Sequence, residues 1–368
     1  TRFKSEEEAL KLANDSDYGL GAAVWPRASP PAPARAPRPL ARRLVLGKSA
    51  LLALLLLLCS LTGQPSSLLV VSLLIGMAAT TAPDIVPAAA ILAPAGKQGK
   101  MVGTVMTGLL LGILLSRTVS GVVGAVFGWR VMYQAAAVSV ALIGLVMWRV
   151  LPRFAVHSTL SYPQLMASMA HLWQRYPALR RAALAQGALS IAFSAFWSTL
   201  AVMLSEHYHM GSAVAGGFGI AGAAGALAAP LAGGLADKFG AGKVTQMGAA
   251  LVTLSFALMF MLPLLPVHAQ LALIALSAIG FDLGLQSSLV AHQNLVYGLE
   301  PQARGRLNAL LFTVVFIGMS LGSVLGSKLY VLAGWNGVVT LAVITGALAL
   351  AIRLLENARI LAAERSAS

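Results

Sequence analysis

Acidic residues are scarce in this chain: 12 Asp and Glu stand against 26 Lys and Arg, and only 10% of its 368 residues are charged. Soluble globular domains carry about a quarter charged residues, so a water-soluble fold is excluded for most of the sequence. The 58% hydrophobic fraction and a mean hydropathy of +0.80 assign that part to lipid. One cysteine, Cys59, lies within an apolar run. An intrachain disulfide and a thiolate metal cluster are therefore both excluded, and Cys59 reads as packing. No G-x-x-x-x-G-K-[ST] motif occurs, which argues against ATP as an energy source, and no other cofactor is expected. The net charge of +14 does not point to nucleic acid, because the Lys and Arg residues sit in short clusters between apolar runs rather than on one solvated face.

A membrane-spanning helix needs about 20 apolar residues. Ten such runs follow residue 46, near 46–64, 67–94, 101–126, 131–150, 181–205, 212–236, 243–264, 268–294, 305–330 and 334–354. Basic residues collect in alternate loops. Arg35, Arg38, Arg42, Arg43 and Lys48 precede the first run, Lys97 and Lys100 follow the second, and Arg149, Arg153, Arg175, Arg180 and Arg181 flank a long middle segment. The intervening loops TGQPSS, EHYHMGS and PVHAQ carry no Lys or Arg. Both chain ends and the 151–180 linker are thus expected in the cytoplasm, with a tail at 355–368. Glu206, His207 and His209 do not share a helix face at that spacing, and an external loop explains them better than a metal site.

The sequence also repeats itself. An offset of 206 (305 − 99) carries Gly99-Lys100 onto Gly305-Arg306, Gly112 onto Gly318 and Gly128-Trp129 onto Gly334-Trp335 without a gap. An offset of 195 (242 − 47) sets LARRLVLGK beside LADKFGAGK. Counted by the repeat, 181–354 is a six-helix half and 46–150 a four-helix half, so about ten of twelve helices are expected.

The first residues differ in kind. Ser5 and Glu8 have capping-box spacing, a polar turn follows at Asn14 to Asp17, and the alternation from Tyr18 to Trp25 suits a strand. The pattern FKSEEEALKLANDSDYGLGAAVW resembles a segment from the last third of aldehyde dehydrogenases. That family's nucleophilic cysteine, general-base glutamate and nucleotide-binding domain are not in this chain, so residues 1–25 cannot run that reaction and no enzyme activity is expected. Six prolines then fill the stretch PRASPPAPARAPRP within 26–45 and forbid a helix there. Such a junction reads either as an extended basic linker or as the scar of a fusion of two genes.

At GGLADKFGAGK, residues 233–243, the chain resembles the cytoplasmic signature loop of the major facilitator superfamily. GTVMTGLLLGILLSRTVSGVVGAVFGWR at 103–130 and DLGLQSSLVAHQNLVYGLEPQARGRLNALL at 282–311 narrow the likeness to bacterial sugar- and drug-efflux-like members. The resemblance implies an all-α membrane protein, a two-half helical bundle of the bacterial inner membrane, monomeric, exporting a small organic solute by alternating access coupled to protons. It also implies a conformational latch at Gly233, Asp237, Lys238, Gly240 and Lys243.

Charges at bilayer depth are costly and mark either function or a fixed packing contact. Arg117 lies near the midplane, Asp282 at a comparable depth, and Asp84 nearer the cytoplasm between Pro83 and Pro87. These three are candidates for the substrate and proton pathway. Gln134, Gln286, His292, Gln293 and Asn294 add hydrogen-bonding capacity at the cavity or its mouth, His292 as a group able to titrate near neutrality or as a merely interfacial residue. Two rival readings remain at this level: a truncated, non-functional transporter remnant, and a membrane scaffold whose first residues recruit a soluble enzyme.

Overall fold

The computed structural model describes residues 40–79, 98–150, 162–227, 238–300 and 303–367. The aldehyde-dehydrogenase-like segment, Asp84, Gly233 and Asp237 lie outside them. Among the described residues ten α-helices follow in chain order. The first half contains α1 (Leu40–Leu61), α2 (Pro65–Ala78), α3 (Gln98–Phe127) and α4 (Trp129–Val150). A linker helix, α5 (Tyr162–Arg175), leads to the second half. That half comprises α6 (Pro177–Tyr208), α7 (Ser212–Leu227), α8 (Ala241–Leu258), α9 (Val267–Tyr297) and α10 (Arg304–Ala367), the last a continuous run broken at Gly334. A 3-10 turn over Met259–Leu264 closes α8. Within the described residues, each of the ten apolar runs in the sequence overlaps a helix or one limb of α10.

Local chemistry sets several helix ends. Pro65 and Pro177 open α2 and α6 at the first turn, where a missing N–H costs nothing. Gly128 and Gly334 adopt left-handed backbone, with φ of 84° and 62°, at the equivalent turns of the two hairpins. A Cβ would strain both, so the repeat seen in the letters is a repeat of the backbone.

Two corrections concern loops. The 151–180 linker contains α5, whose Leu172 packs against Leu179, Val296, Ala303 and Leu307, with Trp173 and Tyr176 alongside. Leu165, Met169, Leu172, Trp173 and Tyr176 recur at helical spacing, a period obscured by the surrounding basic residues. The second is the EHYH segment: α6 runs on through Glu206 and His207 to Tyr208, and His209 ends it in left-handed backbone at φ 53°. Tyr330 of α10 donates to Glu206 Oε2 at 2.7 Å, which ties that end of α6 in place.

In the first half α1 packs on α4, while in the second α6 packs on α10 and α8 on α9. The apolar stretch of α6 is 61% buried and that of α4 only 11%, so the protein core lies in the second half. At its centre Phe196, Phe256 and Phe281 are fully enclosed, with Phe256 and Phe281 stacked at 4.7 Å. Leu142, Ile143 and Val146 of α4 and Leu276, Val331 and Leu332 of the second half face outward. In water that surface would aggregate; in a bilayer lipid tails cover it at no hydrophobic cost.

Candidate functional site

The two halves meet where α7 of the second crosses α3 of the first. Gly216 and Gly121 let the backbones touch: a Cβ built at Gly121 would lie 2.6 Å from the Ser212 carbonyl oxygen, and one at Gly216 would lie 2.8 Å from that of Arg117. Two hydrogen bonds join the helices there. Thr118 Oγ1 donates to the Gly216 carbonyl at 3.2 Å, and Ser212 Oγ donates to that of Gly121 at 3.1 Å. This joint sits toward the end of the bundle away from α5.

Directly beside the joint, Arg117 crosses from the first half into the second. Its side chain lies over Gly219, and its guanidinium carbon stands 4.0 Å from the centre of the Trp197 ring and 5.4 Å from that of Phe193. Phe193 and Trp197 are four residues apart on α6 and so project from one face. Phe281 of α9 completes the aromatic group, 6.3 Å from Phe193 and 6.2 Å from Trp197. Its neighbour Asp282 is 4% exposed. The carboxylate and the Trp197 ring both press on Gly222 of α7, where any side chain would collide with them. Trp197 Nε1 is buried, with the Asp282 carboxylate as its polar neighbour. Arg117 and Asp282 act on one another electrostatically, yet no ion pair within 4 Å joins them among the described residues. Arg117 of the first half and Asp282 of the second are thus brought to one place around Trp197.

The other sequence candidates divide. His292 is fully buried and therefore not interfacial: its Nδ1 lies 2.9 Å from Gln186 Oε1 and 3.2 Å from Ser288 Oγ, while Nε2 has no partner. Gln186 in turn donates to the Leu285 carbonyl at 3.3 Å, linking α6 to α9. Gln293 donates to Asn308 Oδ1 at 3.1 Å and to Tyr297 at 3.4 Å, clasping α9 to α10. Gln286 is half-buried one turn beyond Asp282, and Asn294 is exposed. Gln134 is also exposed, on α4. Of the latch, Lys238 and Lys243 are exposed, and Gly240 takes left-handed backbone at φ 84° before α8.

Sequence reasoning missed Phe193, Trp197 and Gln186. The signal for the aromatics was their four-residue spacing on a helix, which a core stripe would share. For Gln186 it was a lone amide within an apolar run.

A second polar cluster lies at the end nearer α5. Glu356 of α10 pairs with Arg181 of α6 at 3.3 Å and with Arg353 one turn before it. Arg353 Nε donates to Thr245 Oγ1 at 3.0 Å, and Gln246 donates to the Arg353 carbonyl at 3.2 Å, which brings α8 into the same network. Nearby, the Tyr176 hydroxyl donates to Glu300 Oε2 at 2.9 Å, and that bond to a carboxylate raises the phenol above its usual ionisation range. No group of three or more His, Cys, Asp or Glu able to hold a metal occurs among the described residues.

Comparison with known proteins matches this arrangement. The Major Facilitator Superfamily profile matches residues 28–298. The chain is 36% identical over 302 residues to the uncharacterized transporter YgaY of Escherichia coli O157:H7, covering 81% of this chain and 74% of that one. A probable transporter of Streptomyces coelicolor is 34% identical over 275 residues, 73% of this chain and 62% of its own. Over 27 residues, 7% of this chain and 6% of the other, it is 82% identical to the aldehyde dehydrogenase PuuC of E. coli. Among solved structures, the nucleoside transporter NupG superposes with a TM-score of 0.66 at 14% identity, over 86% of this chain and 83% of that one. A bacterial homologue of the lysosomal transporter Spinster, inward-facing and occupied, gives 0.61 at 15%, over 85% and 81%. With two helical halves, a joint between them and these relatives, the chain belongs to the major facilitator superfamily.

Proposed function

We propose that this protein is a proton-coupled secondary transporter that exports a small organic solute from the bacterial cytoplasm by alternating access. The observation that carries this reading is the composition of the central site. Arg117 comes from the first half, and Trp197, Phe193 and Asp282 come from the second, so any rocking of the halves about the α3–α7 joint makes or breaks the contact. Asp282 serves as the proton or substrate site, Arg117 as its gating counter-charge, and Asp84, Gln286, His292 and Gln293 line or support the pathway. The loop containing Gly233, Asp237, Lys238, Gly240 and Lys243 acts as a latch on the cytoplasmic face. With both chain ends in the cytoplasm, the α3–α7 joint lies toward the outside. The transporter acts as a monomer in the inner membrane.

The test is solute-driven proton movement. The full chain is reconstituted into liposomes containing a pH-sensitive dye, and candidate solutes are added across an imposed pH gradient. Proton flux that depends on solute and disappears in Asp282→Asn supports the reading. A chain that moves solute with no accompanying proton flux would refute the coupling.

A second reading concerns only the first residues. The 27-residue likeness to aldehyde dehydrogenases and a superfamily match that begins at residue 28 favour a junction between two genes. Mass spectrometry of native membranes for the tryptic peptides Leu12–Arg27 and Ala28–Arg35 tests it. Their appearance in proportion to peptides from 101–354 makes the fusion a real protein, and their absence assigns the transporter a different start.

A further inference from the structure

The side of the central site that belongs to the second half has an unusual composition once Arg117 is taken away. Three rings, Phe193, Trp197 and Phe281, lie with centroids 6.2 to 6.4 Å apart, and the 4%-exposed carboxylate of Asp282 stands at their margin. An aromatic face attracts a cation through its quadrupole, and the attraction grows as water is removed. A buried carboxylate likewise requires a positive charge or a proton. Among the described residues, the second half supplies no cation at this point. On α6 the charged or titratable groups, Arg180, Arg181, Glu206 and His207, lie at the two ends of the helix. On α9, His292 is bound to Gln186 and Ser288 nearly three turns away. Described α7 carries no charged residue, Lys243 and His268 stand in the first turns of α8 and α9, and on α10 Arg304 and Arg306 lie at its start, Lys328 is exposed and Arg353 is engaged by Glu356 and Thr245. The cation in place is Arg117, and it belongs to the other half.

Arg117 also occupies the site in the manner of a ligand. Its guanidinium lies against the Trp197 ring at 4.0 Å instead of closing an ion pair with Asp282. Gly219 leaves room for its stem, and Gly222 leaves room for the carboxylate and the indole. Separation of the halves removes Arg117 from the Phe193 and Trp197 rings and leaves the Asp282 carboxylate beside them without its cation.

We propose that this half-site takes a small organic cation, an ammonium or guanidinium carrying an apolar or planar group, which replaces Arg117 over Trp197 and pairs with Asp282. Arg117 is then a tethered competitor: it fills the site when the halves close on it and is displaced by the cation when they open. The inference rests on the transporter reading above and adds the substrate class. An anion is disfavoured because it would stand beside the Asp282 carboxylate with the guanidinium turned onto the ring.

The sign of the Arg117 effect decides the matter. The full-length chain in lipid nanodiscs is titrated by equilibrium dialysis with benzyltrimethylammonium, its uncharged isostere neopentylbenzene, and benzoate. Saturable binding is expected for the ammonium alone. Arg117→Gln is expected to tighten it about tenfold, since a competitor is lost, while Asp282→Asn and Trp197→Leu each weaken it at least about tenfold. Asp282→Glu keeps the charge and is expected to retain binding, which separates loss of the carboxylate from loss of the fold. Weaker ammonium binding in Arg117→Gln, or benzoate binding that this variant abolishes, overturns the proposal in favour of an anion site. Absence of saturable ammonium binding in both wild type and Arg117→Gln also overturns it. Solute-driven proton flux measured after the same protein is reconstituted into liposomes then shows whether the transporter reading survives without the cation.

Discussion

Replacing Gly216 by alanine tests whether the α3–α7 joint holds the halves together. The added Cβ lies 2.8 Å from the Arg117 carbonyl oxygen, 3.1 Å from the Gly121 Cα and 3.4 Å from the Thr118 Cα. All three are backbone atoms, so no side chain can swing aside. Restoring 3.4 Å at the closest contact requires α3 to retreat by about 0.6 Å (3.4 − 2.8). Overpacking of this kind costs about 1–3 kcal/mol. The same retreat stretches the Thr118 and Ser212 hydrogen bonds, now 3.2 and 3.1 Å, each worth about 0.5–1.5 kcal/mol. A total of about 2–6 kcal/mol shifts the balance between closed and open joint by roughly 30- to 20,000-fold, at tenfold per 1.4 kcal/mol.

Gly217, the next residue, provides the control, because a Cβ there meets no described atom within 4 Å. Spin labels are placed at Phe127→Cys and Gly211→Cys in a Cys59→Ser background, and their separation is read by pulsed electron resonance. The expected outcome is a short distance in the parent and in Gly217→Ala, and a longer population in Gly216→Ala. Equal distributions in the two alanine variants would refute the close-packed joint.

Three further outcomes follow from the second half. Glu356→Ala leaves Arg353, with a side chain 6% exposed, without its carboxylate, and should destabilise the second half by about 3 kcal/mol, read as a fall in the thermal midpoint in detergent. Gln186→Leu deprives His292 Nδ1 of its 2.9 Å partner; a double-mutant cycle with His292→Leu should show coupling of about 1 kcal/mol or more, whereas additive effects would deny the contact. The Tyr176 phenol, held above its ordinary range by Glu300, favours the folded state fully below the unfolded tyrosine value near about 10, and this contribution fades as pH rises through the higher folded value. Tyr176→Phe should therefore remove an alkaline limb from the stability profile and leave the neutral region flat.

Much of the architecture was legible in the letters because lipid imposes a simple rule: each crossing is a helix of about 20 apolar residues, with every backbone group bonded internally. That rule placed all ten runs, and the offset of 206 matched Gly128 to Gly334 before their shared left-handed backbone was seen. It fails outside the bilayer, which is why α5 and the last turn of α6 were read as loops. For the central site, costly burial of charge singled out Arg117 and Asp282. It gave no sign that Trp197 stands beside both of them, or that His292 is enclosed by Gln186 and Ser288.

The sequence alone determined the solvent, the number of apolar runs, the internal repeat and the short list of charges that lipid would not tolerate, since each is a property of composition and spacing along one dimension. Tertiary structure decided which of those charges meet. Arg117 and Asp282 are separated by 165 residues (282 − 117) and belong to different halves. Their approach depends on Gly216 and Gly121 allowing two helices to touch and on Gly219 and Gly222 leaving space for the side chains. Close packing is a relation between surfaces, and no single segment of the chain contains it.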